Sequence, residues 1–186
     1  MDNDRQLVAD VLGRVPGAFE RLVRQYQGLC WHIVQRMVRH PEDTRELCQE
    51  AFLRVHRNLH QYRFDAPLKS WVGQVAYSVA RRHLERKRIP LAEAADEEAP
   101  LHELVGDGFD LEAATADDEV ARLLHAAIDA LPPLQRTLLT LYHLDETPIG
   151  EISRITGLAE GTIKSHLFRS RKRLRELLEP RIGAAA

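Results

Sequence analysis

The chain is poor in sulfur and has no long apolar run. Cys30 and Cys48 are the only cysteines in 186 residues, too few for a secreted disulfide scaffold and better suited to a reducing compartment. No apolar stretch approaches the roughly 18 residues that a membrane span requires. The opening MDNDRQLVAD lacks the apolar core of a signal peptide. These absences predict a cytoplasmic chain without membrane insertion. Glycine (10) and proline (9) are too few and too scattered for a collagen-like or low-complexity chain. There is no glycine-rich phosphate loop, no nucleophile elbow and no carboxylate pair placed for acid–base work, so neither an enzymatic activity nor a cofactor is expected. What remains is an ordinary globular composition, 44% hydrophobic and 29% charged, long enough for one large domain or two small ones.

Net charge is −2, which alone gives no hint of a polyanion partner. Resolved along the chain, residues 1–88 carry a balance of +6, residues 89–119 of −11 with no lysine or arginine, and residues 120–186 of +3. Two basic blocks flank one acidic block, and such asymmetry points to nucleic acid.

Apolar residues recur with helical period in both basic blocks. Phe19, Leu22, Val23, Tyr26, Leu29, Ile33, Val34 and Met37 form one stripe. Pro16 stands where a first-turn proline is expected, and His40-Pro41 is a stop. Leu47 to Tyr62 and Leu68 to Leu84 carry two more stripes, preceded by a weaker piece at Leu7–Leu12. Residues 89–118 show no sustained period and read as an acidic linker. Periodicity resumes from Val120, is punctuated by Pro132-Pro133, and ends in a helix from about Glu160 to Leu178. No strand alternation is present. The expected fold is all-α, with helical domains at 1–88 and 119–186 joined by the linker.

The segment IGEISRITGLAEGTIKSHLFRSRKRLREL has the anatomy of a helix-turn-helix. Ile149, Ile152 and Ile155 face inward from a short helix, Gly157 permits a left-handed turn, and Leu158 fills the corner. The second helix packs Ile163, Leu167, Leu174 and Leu177. Its other faces carry Thr162, Lys164, Ser165, His166, Arg169, Arg171, Lys172, Arg173 and Arg175. Six basic residues and no acid lie between Thr162 and Arg175. A merely solvated helix mixes signs, whereas a recognition helix turns polar side chains to base edges and cations to phosphates.

The first block ends its third stripe in a second cationic cluster, Arg81, Arg82, Arg86, Lys87 and Arg88. Tyr62, Phe64, Trp71 and Tyr77 lie upstream. Cations beside aromatic planes suit a single strand with unstacked bases. Trp71 is in phase with Leu68, Val72 and Val75, which favours a core role for it. Glu42, Asp43, Glu46 and Glu50 gather at the start of the second stripe. The first two complement the helix dipole, while the face beyond them suits a protein partner.

Taken together, PEDTRELCQEAFLRVHRNLHQYRFDAPLKSWVGQVAYSVARRHLERKR and LPPLQRTLLTLYHLDETPIGEISRITGLAEGTIKSHLFRSRKRLREL resemble the second and fourth conserved regions of the sigma-70 family, specifically its extracytoplasmic function (ECF) group. The resemblance implies that Glu46, Gln49, Glu50 and Arg54 bind the β and β′ subunits of bacterial core RNA polymerase. It implies that Asn58, Tyr62, Phe64, Asp65 and Ser78 hold an extruded base of the promoter −10 element, beside Arg81, Arg82, Arg86 and Arg88. Lys164, Ser165, Phe168 and Arg169 are implied to read the −35 element, with Arg171 and Arg173 on phosphates and Thr162 and His166 nearby. An anti-sigma factor is an implied partner, and no homo-oligomer is expected. The family often has glycine where this chain has Phe64, and asparagine where it has Ser78, so −10 preference is not transferable from relatives.

Two other readings compete with this one. A stand-alone helix-turn-helix regulator would bind promoter duplex without polymerase. A metal or redox sensor would use Cys30, His32, Cys48 and His56, but these lack tight metal-ligand spacing, and no metal is expected.

Overall fold

The computed structural model describes residues 2–92 and 118–182. Residues 93–117 of the expected linker lie outside them. The described residues divide into two compact units, one formed by the chain up to Ile89 with Arg154–Gly157, the other by the remainder. Every described element is helical, which bears out the all-α class.

The first unit contains α1 (Asp2–Leu12), α2 (Ala18–Val38), α3 (Pro41–Asn58), a 3-10 turn (Leu59–Gln61) and α4 (Leu68–Arg86). Gly17 takes the left-handed conformation at φ 76° and breaks the chain immediately before α2. Pro16 therefore stands outside the helix rather than in its first turn. Arg39 closes α2 in the left-handed region, its N–H donating to the Gln35 carbonyl. α3 then opens with Pro41 at a position where no backbone N–H is needed, and the His40 ring accepts from the Asp43 N–H. Helices α2, α3 and α4 pack against one another pairwise, and α1 lies against α2. Leu22, Ile33, Met37, Leu59, Leu68 and Leu84 are fully buried between them. Three apolar stripes thus close on one core, as their period requires.

The second unit contains α5 (Asp118–Asp129), α6 (Pro133–Leu139), the start of α7 (Ile149–Thr156), whose last residues from Arg154 group with the first unit, and α8 (Glu160–Ile182). The run through Tyr142 is not one regular helix. After Leu139 the backbone widens into a π-type turn over Thr140–Leu144, and the Asp145 N–H reaches the Thr140 carbonyl five residues back. Both α5 and α6 pack on α8, burying Leu124, Ile128, Leu138 and Leu139. Arg136, one of the basic residues in the charge count, is 95% removed from solvent, with a relative exposure of 5%. Its Nη1 donates to the carbonyls of Asp129 and Leu131 at 2.9 and 3.1 Å. The guanidinium thus satisfies the orphan carbonyls at the end of α5 and is not offered to a ligand.

Candidate nucleic-acid interface

The helices α7 and α8, with the three-residue turn between them, form the helix-turn-helix. Gly157 has φ 75°, the left-handed value a Cβ would oppose. The Ser153 hydroxyl donates to the Leu158 carbonyl at 2.7 Å and locks the turn. On α8 the buried positions are Ile163, His166, Leu167, Ser170, Leu174 and Leu178. Leu178 replaces the expected Leu177 because a 3.6-residue period advances by four there. Ser170 is accommodated in the core by donating to the His166 carbonyl at 2.8 Å.

The polar residues of α8 are not all presented alike. Thr162, Lys164 and Arg173 are exposed, while Ser165, Phe168, Arg169 and Arg171 are half-buried. His166 is buried, against the expectation of a surface position. It stands three residues after Ile163 and one before Leu167, on the edge of the apolar stripe. Burial first, and the Arg169 charge second, hold its pKa below the ordinary histidine value. The neutral ring then lies 3.5 Å from the Arg169 guanidinium. His166 therefore backs Arg169 instead of facing a base.

Of the proposed −10 residues in the first unit, Asn58, Asp65 and Arg81 are exposed, Ser78 is half-buried and Tyr62 is buried. Trp71 is half-buried rather than core, its ring 5.4 Å from that of Tyr62, so it extends an aromatic wall. Arg82, Arg86 and Arg88 are exposed beyond Arg81. Phe64 lines a small cavity of about 20 Å³ with Asp4, Arg5, Tyr62, Ala66 and Pro67. Its backbone is left-handed, at φ 61°, which costs an L residue about 1–2 kcal/mol. Glycine would adopt that conformation without the Cβ penalty. Here the ring contact to Tyr62 at 4.6 Å and the Arg5 cation 5.3 Å over the ring face offset the strain.

On α3, Glu46 and Gln49 are exposed, and Glu50 and Arg54 pair at 2.6 Å one turn apart. Asp43 does more than complement the dipole. Its carboxylate, held below the usual range chiefly by Lys87, ties the start of α3 to Lys87 at 2.7 Å and His83 at 3.4 Å near the end of α4. Beside Gln49, a largely apolar groove of about 690 Å³ runs between α2 and α3, lined by Phe19, Val23, Trp31, Cys48, Phe52 and Leu53 among others. Trp31 and Leu53 are exposed. An open apolar patch of this kind is a candidate interaction surface. The periodicity counted Phe19 and Val23 as core and gave Trp31 no role. Only the spacing of the two helices shows that they edge a groove.

Cys30 and Cys48 meet across this α2–α3 contact. A hydrogen bond between the thiols raises the Cys30 pKa strongly and lowers that of Cys48. Cys30 is fully buried, whereas Cys48 reaches the groove. Iodoacetamide at neutral pH is expected to modify Cys48 at least roughly tenfold faster than Cys30 in the folded protein. Peptide mapping of the alkylated chain checks this; equal rates would contradict it.

Comparison with known proteins accords with this geometry. The family model for sigma-70 region 2 matches residues 22–89, and that for sigma-70 region 4 matches residues 121–174. The chain is 29% identical to the RNA polymerase sigma-H factor of Pseudomonas aeruginosa over 189 residues, covering 99% of this chain and 98% of that protein. It is 30% identical to the ECF RNA polymerase sigma factor SigM of Mycobacterium tuberculosis, covering 87% and 77%. In fold it is similar to CnrH, solved in complex with the cytosolic domain of CnrY, with a TM-score of 0.65 at 20% identity over 95% of this chain and 97% of that one. A sigma factor RpoE from Bartonella quintana, solved with the anti-sigma factor NepR, has a TM-score of 0.57 at 19% identity, covering 88% and 98%. With both conserved regions present in order and a relative alike over most of its length, the chain belongs to the ECF group of the sigma-70 family of RNA polymerase sigma factors.

Proposed function

We propose that this chain selects promoters for bacterial core RNA polymerase. The face of α3 around Glu46, Gln49, Glu50 and Arg54, with the adjoining groove, docks on the β and β′ subunits. The α8 helix reads the −35 element in the major groove through Lys164, Ser165 and Arg169, with Arg171 and Arg173 on phosphates. Tyr62, Asp65 and Trp71, with Asn58 and Ser78, take bases of the melted −10 strand, while Arg82, Arg86 and Arg88 hold its backbone. The polymerase does the chemistry; this chain decides where it starts, in the cytoplasm. An anti-sigma factor holds it inactive, in keeping with the partner named for the similar Bartonella protein.

The observation that carries this reading is the presence, in one chain, of a helix-turn-helix with an acid-free basic face and of a separate aromatic cluster, Tyr62, Phe64 and Trp71, followed by exposed arginines. Each alone holds DNA weakly and in a salt-sensitive way; tethered to one polymerase they act together. Reconstitution with core polymerase and a randomised promoter library tests it. Transcripts are expected downstream of a shared pair of elements spaced as −35 and −10. Sequence-specific binding of promoter duplex by the chain alone, with no association with polymerase, would instead identify a stand-alone regulator.

A further inference from the structure

The first helix, α1, lies outside both matched regions, yet it reaches the −10 loop. Leu7, Val8 and Val11 bury one face of α1 in the core. Arg21 of α2 pairs with Asp10. The helix is therefore anchored, and its first turn is delivered at a set position. From that turn the Asp4 carboxylate accepts from the Tyr26 hydroxyl at 3.2 Å and from the Leu68 backbone N–H at 3.4 Å. Leu68 is the first residue of α4, and Pro67 before it offers no side-chain cap. Asp4 thus supplies from another helix the acceptor and negative charge that a helix N-terminus calls for. Arg5, one residue on, places its guanidinium over the Phe64 ring. Both ends of the 62–67 loop are held from α1: Phe64 packs on Tyr62, whose hydroxyl donates to the Ala66 carbonyl. The cavity between Asp4, Arg5 and Phe64, at about 20 Å³, has room for roughly one water and none for a base. It backs the loop.

We infer that Asp4 and Arg5 of α1 are positioning residues for the 62–67 loop, setting how Tyr62 and Asp65 meet the −10 base. This rests on the −10 reading above, so its test has one arm that needs no polymerase. Amide hydrogen exchange at residues 62–68 of the full chain is expected to quicken about five- to tenfold in Asp4→Ala, the scale of a lost N-terminal cap. In holoenzyme, Asp4→Ala is expected to narrow the ratio of transcription between a promoter selected from a randomised −10 library and its −10-substituted form by a similar factor. Affinity for core polymerase, which uses α3, stays within about twofold. Asp4→Asn restores both readouts in large part, since its amide can accept from Leu68 and donate to Tyr26. Arg5→Ala, at an exposed side chain that leaves the core intact, narrows the ratio by a smaller factor and guards against a folding defect in Asp4→Ala. Unchanged exchange in Asp4→Ala overturns the inference whatever the promoter results. So does an unchanged ratio in both variants, or a parallel fall at every promoter with the ratio preserved. Wild-type protein that supports no −10-dependent initiation overturns the functional reading, while the exchange arm still decides whether α1 holds the loop.

Discussion

Arg169→Glu is expected to lower transcription from a −35-dependent promoter by about 100-fold or more while the protein stays folded. A single guanidinium contact to a base edge or phosphate contributes about 1–3 kcal/mol, and 1.4 kcal/mol is a factor of ten. Reversal also sets a carboxylate against the phosphates. The structure makes Arg169 the most exacting of the α8 cations to test. Among the described residues, Arg169 has no carboxylate partner, and its buried Nε has no hydrogen-bond acceptor. The neutral His166 ring steadies the far side of the guanidinium. By contrast Arg173 is already paired with Glu176 at 3.4 Å. Arg169→Lys keeps the charge but loses the planar fork, and should retain part of the activity. Helix content and thermal midpoint are the controls for fold. Normal use of the −35 element by Arg169→Glu would remove α8 from promoter reading.

The second large effect is expected at Glu50. Glu50→Lys should weaken binding to core polymerase by roughly 30-fold or more, since removing one partner of a hydrogen-bonded interfacial charge costs about 2–5 kcal/mol. Glu50 holds Arg54 at 2.6 Å, so the substitution also sets two cations one turn apart. That second term amounts to only a few tenths of a kcal/mol on a helix surface, so the loss is interfacial rather than a failure to fold. Glu50→Gln removes the charge without reversing it and should show an intermediate loss. Titration of labelled protein with core polymerase measures all three. An unchanged affinity in Glu50→Lys would move docking away from this face of α3 and leave the neighbouring apolar groove without its proposed occupant.

The two variants are expected to separate the proposed roles. Arg169→Glu should keep polymerase binding and lose −35-dependent initiation, whereas Glu50→Lys should lose polymerase binding and, with it, initiation at every promoter. Loss of polymerase binding in Arg169→Glu as well would contradict the division of docking to α3 and −35 reading to α8.

What could be read along the chain was what neighbouring residues impose on one another. The helices at 18–38, 41–58, 68–86 and 160–182 follow from apolar period, from Pro41 and Pro133 at first turns, and from Gly157 at a left-handed corner. The acid-free run on α8 follows from composition alone. So does the order of the two conserved regions, which sufficed to name the family. Contacts between residues distant in the chain were not legible. Asp4 caps a helix that begins 64 residues later, and no local pattern marks it. Phe64 is left-handed because Tyr62 and Arg5 hold its ring, a condition that its own neighbours in the sequence do not state. Arg136 belongs to the core and His166 to the back of Arg169, although a helical wheel shows each only as a polar residue near a boundary. Periodicity specifies which face of a helix is buried. Which side chain at the edge of that face turns inward, and what it meets there, depends on how the helices pack, and packing is decided only when all of them are in place.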